Sequence, residues 1–152
     1  MILLLALLIG IVAGLRVMTA AAVVAWAAHL GWFDPGGGWL AFMGHWITPW
    51  IFTLLALAEF VTDQLPSTPS RTVPMQFGAR VVMGALTGAT LGASGGMLVG
   101  GALAGVFGAV IGTLGGRSVR GKLAAAFGRD RPAAFLENAV AIVGGLLIVA
   151  AA

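Results

Sequence analysis

The chain contains no cysteine in its 152 residues, which excludes a disulfide framework, thiolate chemistry and any metal site built on sulfur. It is also poor in charge. Only 9% of its residues are Asp, Glu, Lys or Arg, with five acids against eight bases. Soluble domains carry about 25% charged residues, so this chain has too few to cover a water-facing surface. Apolar residues take their place: 60% are hydrophobic and the mean hydropathy is +1.05. The few charges cluster, leaving uncharged runs on the scale of a bilayer. The expected class is an all-α integral membrane protein, with residues 1–152 forming one transmembrane domain. The net charge of +3 reads as the excess of Lys and Arg in cytoplasmic loops that orients membrane proteins, and not as a nucleic-acid surface.

Hydropathy divides the chain. Residues 2–31 are apolar except for Arg16 and His29, and are followed by the turn sequence Asp34-Pro35-Gly36-Gly37-Gly38. Residues 46–62 are apolar and run into Glu59 and Asp63. The segment QLPSTPSRTVP holds three prolines in eleven residues and reads as a connection. Residues 77–116 are apolar except for Arg80. As one helix they would be about 60 Å long, twice the hydrocarbon thickness, so a tight hairpin is expected at Ser94-Gly95-Gly96. A basic stretch at 117–131 and a final apolar run at 133–152 complete the chain. About five transmembrane helices result, with four or six as alternatives. Residues 2–13 resemble the apolar part of a signal peptide, but no basic region precedes them. They are expected to remain as the first span, which at this length should tilt, break near Gly14 or continue along the interface.

Orientation follows from the bases. The stretch 117–131 and the loop bearing Arg71 are expected inside, and all five tryptophans gather around the 30–45 loop, expected at the outer interface. Alternation then places the N-terminus in the cytoplasm.

Glycine recurs at every fourth position through Gly84, Gly88, Gly92, Gly96 and Gly100. After Ala104 the register continues through Gly108, Gly112 and Gly116. Helices in lipid gain nothing from hydrophobic burial against one another and associate through close van der Waals contact. A row without side chains is a groove for another backbone, so the two striped helices are expected to pack on each other as a glycine zipper. A pore lining or sliding surface is the functional alternative.

Ionisable groups inside a span are costly and face protein or water. The five candidates for a substrate or ion site are Arg16, Glu59, Asp63, Arg80 and Glu137. Glu59 and Asp63 lie four apart, on one helix face. They can bind a cation, share a proton or pair with arginine, with Glu59 expected opposite Arg16 or Arg80 and Asp63 near the headgroups. Glu137 is expected to pair with Arg117 or Arg120. The bases Arg117, Arg120, Lys122, Arg129 and Arg131 read as a basic amphipathic helix on lipid headgroups. His29 and His45 could be half of a metal site, but only Asp34 offers a third ligand, so no metal is assigned. No catalytic signature, cofactor motif or soluble phosphate loop is present, and the chain is not expected to be an enzyme.

A faint internal similarity links VAGLR (12–16) to LGGR (114–117), and LALAEF (55–60) to AAFLEN (133–138). It would make residues 1–64 and 97–152 an inverted repeat around a linking span at 77–94, a device of secondary transporters. Taken together, GLRVMTAAAVVAWAA, LALAEFVTDQLP and the glycine-rich hairpin resemble the domain-of-unknown-function 4126 family of small bacterial multi-pass membrane proteins. That resemblance implies a bacterial inner (cytoplasmic) membrane setting and supplies no activity. The residues leave two leading functions: a transporter or channel for a small solute or ion, or a non-transporting scaffold that uses the glycine seam for assembly. A homo-oligomer, with a dimer favoured, is expected because short spans enclose little volume alone. Membrane lipids are the other expected partner. A membrane enzyme acting on headgroups through Glu59 and Asp63 is a third and weaker alternative.

Overall fold

The computed structural model describes all 152 residues and is entirely helical. Six α-helices follow in order: α1 (Ile2–Leu15), α2 (Val17–His29), α3 (Thr48–Thr62), α4 (Pro74–Ser94), α5 (Leu98–Phe127) and α6 (Asp130–Ala150), with a 3-10 helix at Gly38–Gly44 between α2 and α3. Local chemistry explains most boundaries. Pro49 and Pro74 occupy the first turns of α3 and α4, where a missing N–H costs nothing. Gly96 turns the α4–α5 hairpin at φ +70°, and Gly128 ends α5 at φ +67°. Both conformations are ones that glycine adopts without steric penalty.

Contacts fix the direction of each helix. Leu3 lies against Gly100 and Leu15 against Gly116, so α1 and α5 run parallel, with Ile2 against Gly95 at the hairpin turn. α4 runs antiparallel to both, since Arg80 meets the end of α1 while Gly92 meets Gly101. α2 then turns back. Seven residues beyond its end, Gly36 lies beside Ala93, next to the α4–α5 turn. α3 returns alongside α2, with Thr53 beside Trp26 and Glu59 beside Val17. α6 descends with α2, with Glu137 near Arg16 and Gly145 near Val23. The helices therefore alternate up and down between two ends. One end holds the N-terminus, the tryptophan loop and the α4–α5 turn; the other holds the 63–73 loop and the basic stretch.

Of the courses expected for residues 2–31, the break near Gly14 is the one taken, two residues further on: in place of a single crossing they fold at Arg16 into two antiparallel helices of 14 and 13 residues. Arg16 is the single extended residue, at φ −140° and ψ 104°. The N-terminus consequently lies at the tryptophan end and not at the basic end. Two helices, α5 and α6, are long and apolar enough to cross a membrane, or three if the bent pair of the 3-10 helix and α3 is counted as one. That is fewer than the five expected. α1 and α2 each rise only about 20 Å, and glycine, threonine, Gln76 and Arg80 dilute the hydropathy of α4.

α5 presents its small residues inward and its large ones outward. Gly101, Gly105, Gly108, Ala109 and Gly112 are buried, whereas Leu103, Phe107, Ile111 and Leu114 are exposed. In water this polarity would be a liability; against lipid tails it is the favourable arrangement. The glycine ladder divides between two seams. Gly84, Gly88 and Gly92 of α4 meet Gly101 and Gly105, which lie outside the ladder register, while Gly108 and Gly112 meet the backbone of α1 from Leu7 to Ile11. Gly10 and Gly14 complete this second seam against Gly105 and Ala109. Gly96 sits in the turn with open space around it. Gly100 touches only side chains, and Gly116 faces Leu15 and Arg71. The segments compared as a repeat fold differently, since Arg16 terminates a helix whereas Arg117 lies inside uninterrupted α5, parallel to α1.

Candidate functional site

Breaking a helix leaves backbone donors and acceptors without partners, and at Arg16 charged side chains satisfy them. At the start of α2 the amides of Val17 and Met18 donate to Glu59 Oε1 and Oε2, each at 3.0 Å. At the end of α1, Arg80 Nη1 donates to the carbonyls of Gly14 and Leu15 at 2.7 and 3.1 Å. The signs suit the helix dipoles: an anion stands at an N-terminus and a cation at a C-terminus.

Arg16 itself is fully buried. Its Nη1 lies 2.6 Å from Asp63 Oδ2 and its Nη2 3.6 Å from Glu137 Oε2, while its Cζ stands 5.9 Å from the centre of the Phe60 ring. The guanidinium is held by charge and ring contact, without an aligned hydrogen bond on its Nε, Nη1 or Nη2. Arg71 grips Glu137 with both Nη atoms, at 2.6 and 3.0 Å. Arg120 links the remaining acids: it bonds Asp63, lies 3.3 Å from Glu137 and takes Asp130 in a fork at 2.9 and 2.6 Å. Four of the five acids therefore converge with four arginines. Only Asp34 stands apart, in a turn where it accepts from the Gly36 amide.

Glu59 is thus not the ion-pair partner of Arg16. Asp63 fills that place because Glu59, one turn earlier, is already engaged by the α2 amides. Glu137 meets the expected Arg120 at 3.3 Å but pairs first with Arg71, a loop residue with no periodicity to reveal it. Arg120 is a bridge in the network and not a headgroup residue, whereas Lys122, Arg129 and Arg131 are exposed. The basic stretch does not form a separate interfacial helix, because α5 continues to Phe127. His29 and His45 have local partners, with Gly44 O 3.2 Å from the former and the Ile47 amide 3.4 Å from the latter.

A cavity of about 350 Å³ opens beside this network, with walls that include Arg71, Arg80, Arg117, Arg120, Asp63 and Asp130. It reaches Asp63 and Arg80 but stops short of Arg16 and Glu59. Burial raises the Asp63 carboxyl, but the hydrogen bond from Arg120 and the charge of Arg16 outweigh burial. The net effect holds Asp63 below the ordinary carboxylate value.

Fold and site together define an all-helical protein with apolar helices of membrane-spanning length and a broken helical hairpin whose tip is embedded in charge. Comparison of the chain with models of known protein families, with curated proteins and with solved structures yields no match.

Proposed function

We propose that the protein is a small multi-pass membrane transporter or channel for a small solute or ion, acting as a homo-oligomer in a bacterial inner membrane. The observation that carries this reading is the hairpin of α1 and α2. Its tip stands about 20 Å from the end where the chain begins, short of the roughly 30 Å hydrocarbon core. Non-helical backbone at membrane depth is tolerated only where protein buries it or a water-filled cavity adjoins it. Here protein buries the break, the cavity reaches Arg80, which bonds its carbonyls, and ionisable groups at that depth mark solute and ion pathways. By the distribution of bases, the end bearing Arg71 and Arg117 is cytoplasmic. With the hairpin re-entrant, the N-terminus then lies on the outer side.

A scaffold reading draws on the glycine seams, whose backbones touch and leave no room for a pore between α1, α4 and α5. Water access separates the two. Thr19, one turn below the tip, is buried and its Oγ1 has no partner. The chain has no native cysteine, so Thr19→Cys gives a clean probe. A transporter should admit a small sulfonated thiosulfonate reagent to this position in proteoliposomes. Modification only after denaturation would refute the transport reading and favour the scaffold.

A further inference from the structure

We infer that the cavity between the 63–73 loop, α4 and α5 is a binding site for a phosphate group. The charged network beside it is internally balanced, since Arg16, Arg71 and Arg120 are joined to Asp63, Asp130 and Glu137. Two lining cations stand outside that balance. Arg117 bonds only the Thr72 hydroxyl, at 3.1 Å, and has no carboxylate within ion-pair distance. Arg80 is 4% exposed and spends Nη1 on the α1 carbonyls, while its Nε and Nη2 donate to nothing in the chain. The one further carboxylate near Arg80, Glu59, lies across the helix break, outside the cavity, and is committed to the α2 amides.

A buried guanidinium with unused donors is costly unless a ligand or water accepts from it, and its fork matches the spacing of phosphate oxygens. The Gln76 amide, on the same wall, adds a neutral donor without a protein partner. More than two donors therefore line one cavity, which suits a tetrahedral oxyanion better than a two-oxygen carboxylate. The acids in the wall refine the choice. Asp130, about half exposed, can accept a hydrogen bond from a P–OH group but repels an anion that carries no proton. The site should accordingly prefer phosphate to sulfate.

Two sources supply this chemistry, inorganic phosphate and the monoester headgroup of phosphatidic acid. The inference rests on the transport reading only for the role of the cavity in flux, because equilibrium binding needs no flux.

The test is titration calorimetry on the detergent-solubilised protein at constant ionic strength, with potassium phosphate and potassium sulfate. A parallel arm uses nanodiscs with and without phosphatidic acid. Saturable binding of inorganic phosphate, at least tenfold tighter than sulfate and at least tenfold weaker in Arg117→Gln, supports the site with a free-phosphate source. Binding confined to phosphatidic acid and lost in Arg117→Gln supports it with a lipid source. Lys122→Gln, outside the cavity wall, should leave either unchanged, and unliganded Arg117→Gln should melt like the wild type because it gives up one exposed hydrogen bond. Absence of saturable binding in both arms, or equal weakening by Lys122→Gln, overturns the proposal. If phosphate fails while Thr19→Cys is labelled, the transport reading stands with another solute. If phosphate binds while Thr19→Cys stays dry, the site stands and transport falls.

Discussion

Gly105 is the residue at which α1, α4 and α5 come together, and its replacement by alanine measures how tightly. A Cβ there would stand 2.8 Å from the carbonyl carbon of Gly84 and 3.1 Å from the Cα of Gly88. Carbon atoms rest at about 3.5–4.0 Å, and the Gly84 carbonyl oxygen lies closer than either of these carbons, so α4 would have to withdraw by about 1 Å or more. Withdrawal toward the other side is blocked, because a Cβ on Gly10 would already stand 2.8 Å from the Gly105 Cα. The opposing atoms are backbone and cannot rotate away. Overpacking of this kind costs about 1–3 kcal/mol, and a rigid contact belongs near the upper end. Alanine returns up to about 1 kcal/mol of helix propensity, which leaves a net loss of about 2 kcal/mol. In a chain of this size that is a fall in Tm of roughly 4–8 °C. Gly115→Ala is the control: it lies on the same helix with nothing within 4 Å of its Cβ, so it should be neutral or slightly stabilising. Thermal unfolding in detergent, followed by tryptophan emission, reads both. A Gly105→Ala protein that melts at or above Gly115→Ala would show that these backbones are not in contact.

Arg16→Met should destabilise, but by less than the roughly 3–5 kcal/mol of a buried charge left unpaired, because Asp63 keeps Arg120; Arg16→Met with Asp63→Asn should recover part of that loss, and a double variant no better than Arg16→Met would refute the pairing. Glu59→Gln keeps an acceptor for one amide at the start of α2 but loses the charge, so it should cost about 1–2 kcal/mol, with Asp63→Asn additive to it if Glu59 belongs to the helix end and not to the ion network. Cysteines introduced at Ser70 and Gly37 should label from opposite sides of the membrane, and an N-terminal tag should report the Gly37 side; a tag on the Ser70 side would restore a single N-terminal crossing. Asp63 has a depressed folded pKa, so its contribution is complete above the unfolded value near pH 3.9 and is lost as pH falls through the lower folded value. The Tm should therefore drop on acidification below about pH 4, and Asp63→Asn should flatten that limb.

What the sequence revealed was what composition and local chemistry control. The all-helical class, the turn at Ser94-Gly95-Gly96 and the return of the 63–73 and 117–131 segments to one end depend on hydropathy, glycine and base placement, all of which are local. A break near Gly14 was one of three courses that the length of residues 2–31 allowed, but the reversal at Arg16 was not visible. No glycine pair, proline or polar run marks it, and the helical pattern of GLRVMTAAAVV continues across it. The break exists because Glu59 and Arg80, 43 and 64 residues away by numbering, supply the partners that its backbone requires. The choice of seam was likewise hidden. Gly101, Gly105, Ala109 and Thr113 form a second four-residue register beside the conspicuous one, and only the position of α1 decides which row faces which neighbour. Arg71 carried no signal beyond its charge.

Four of the five acids explain why charge is so scarce and so placed. An apolar chain that reverses inside a bilayer must supply acceptors and donors for the backbone it exposes, and side chains brought there for that purpose carry charge that must in turn be balanced. Glu59 and Arg80 close the two helix ends. Arg16 occupies the tip and needs Asp63, while Glu137 needs Arg71, and Arg120 ties these acids to Asp130 at the rim. Each step compensates the one before it, until the sequence ends the series with arginines 80 and 117, which have no carboxylate within ion-pair distance. A purely structural network would have no reason to stop there, since one more Asp or Glu on the 63–73 loop would complete it. An excess of cation at the wall of a cavity, after every other charge of the network has been matched, is the arrangement expected where the last partner is a ligand that comes and goes.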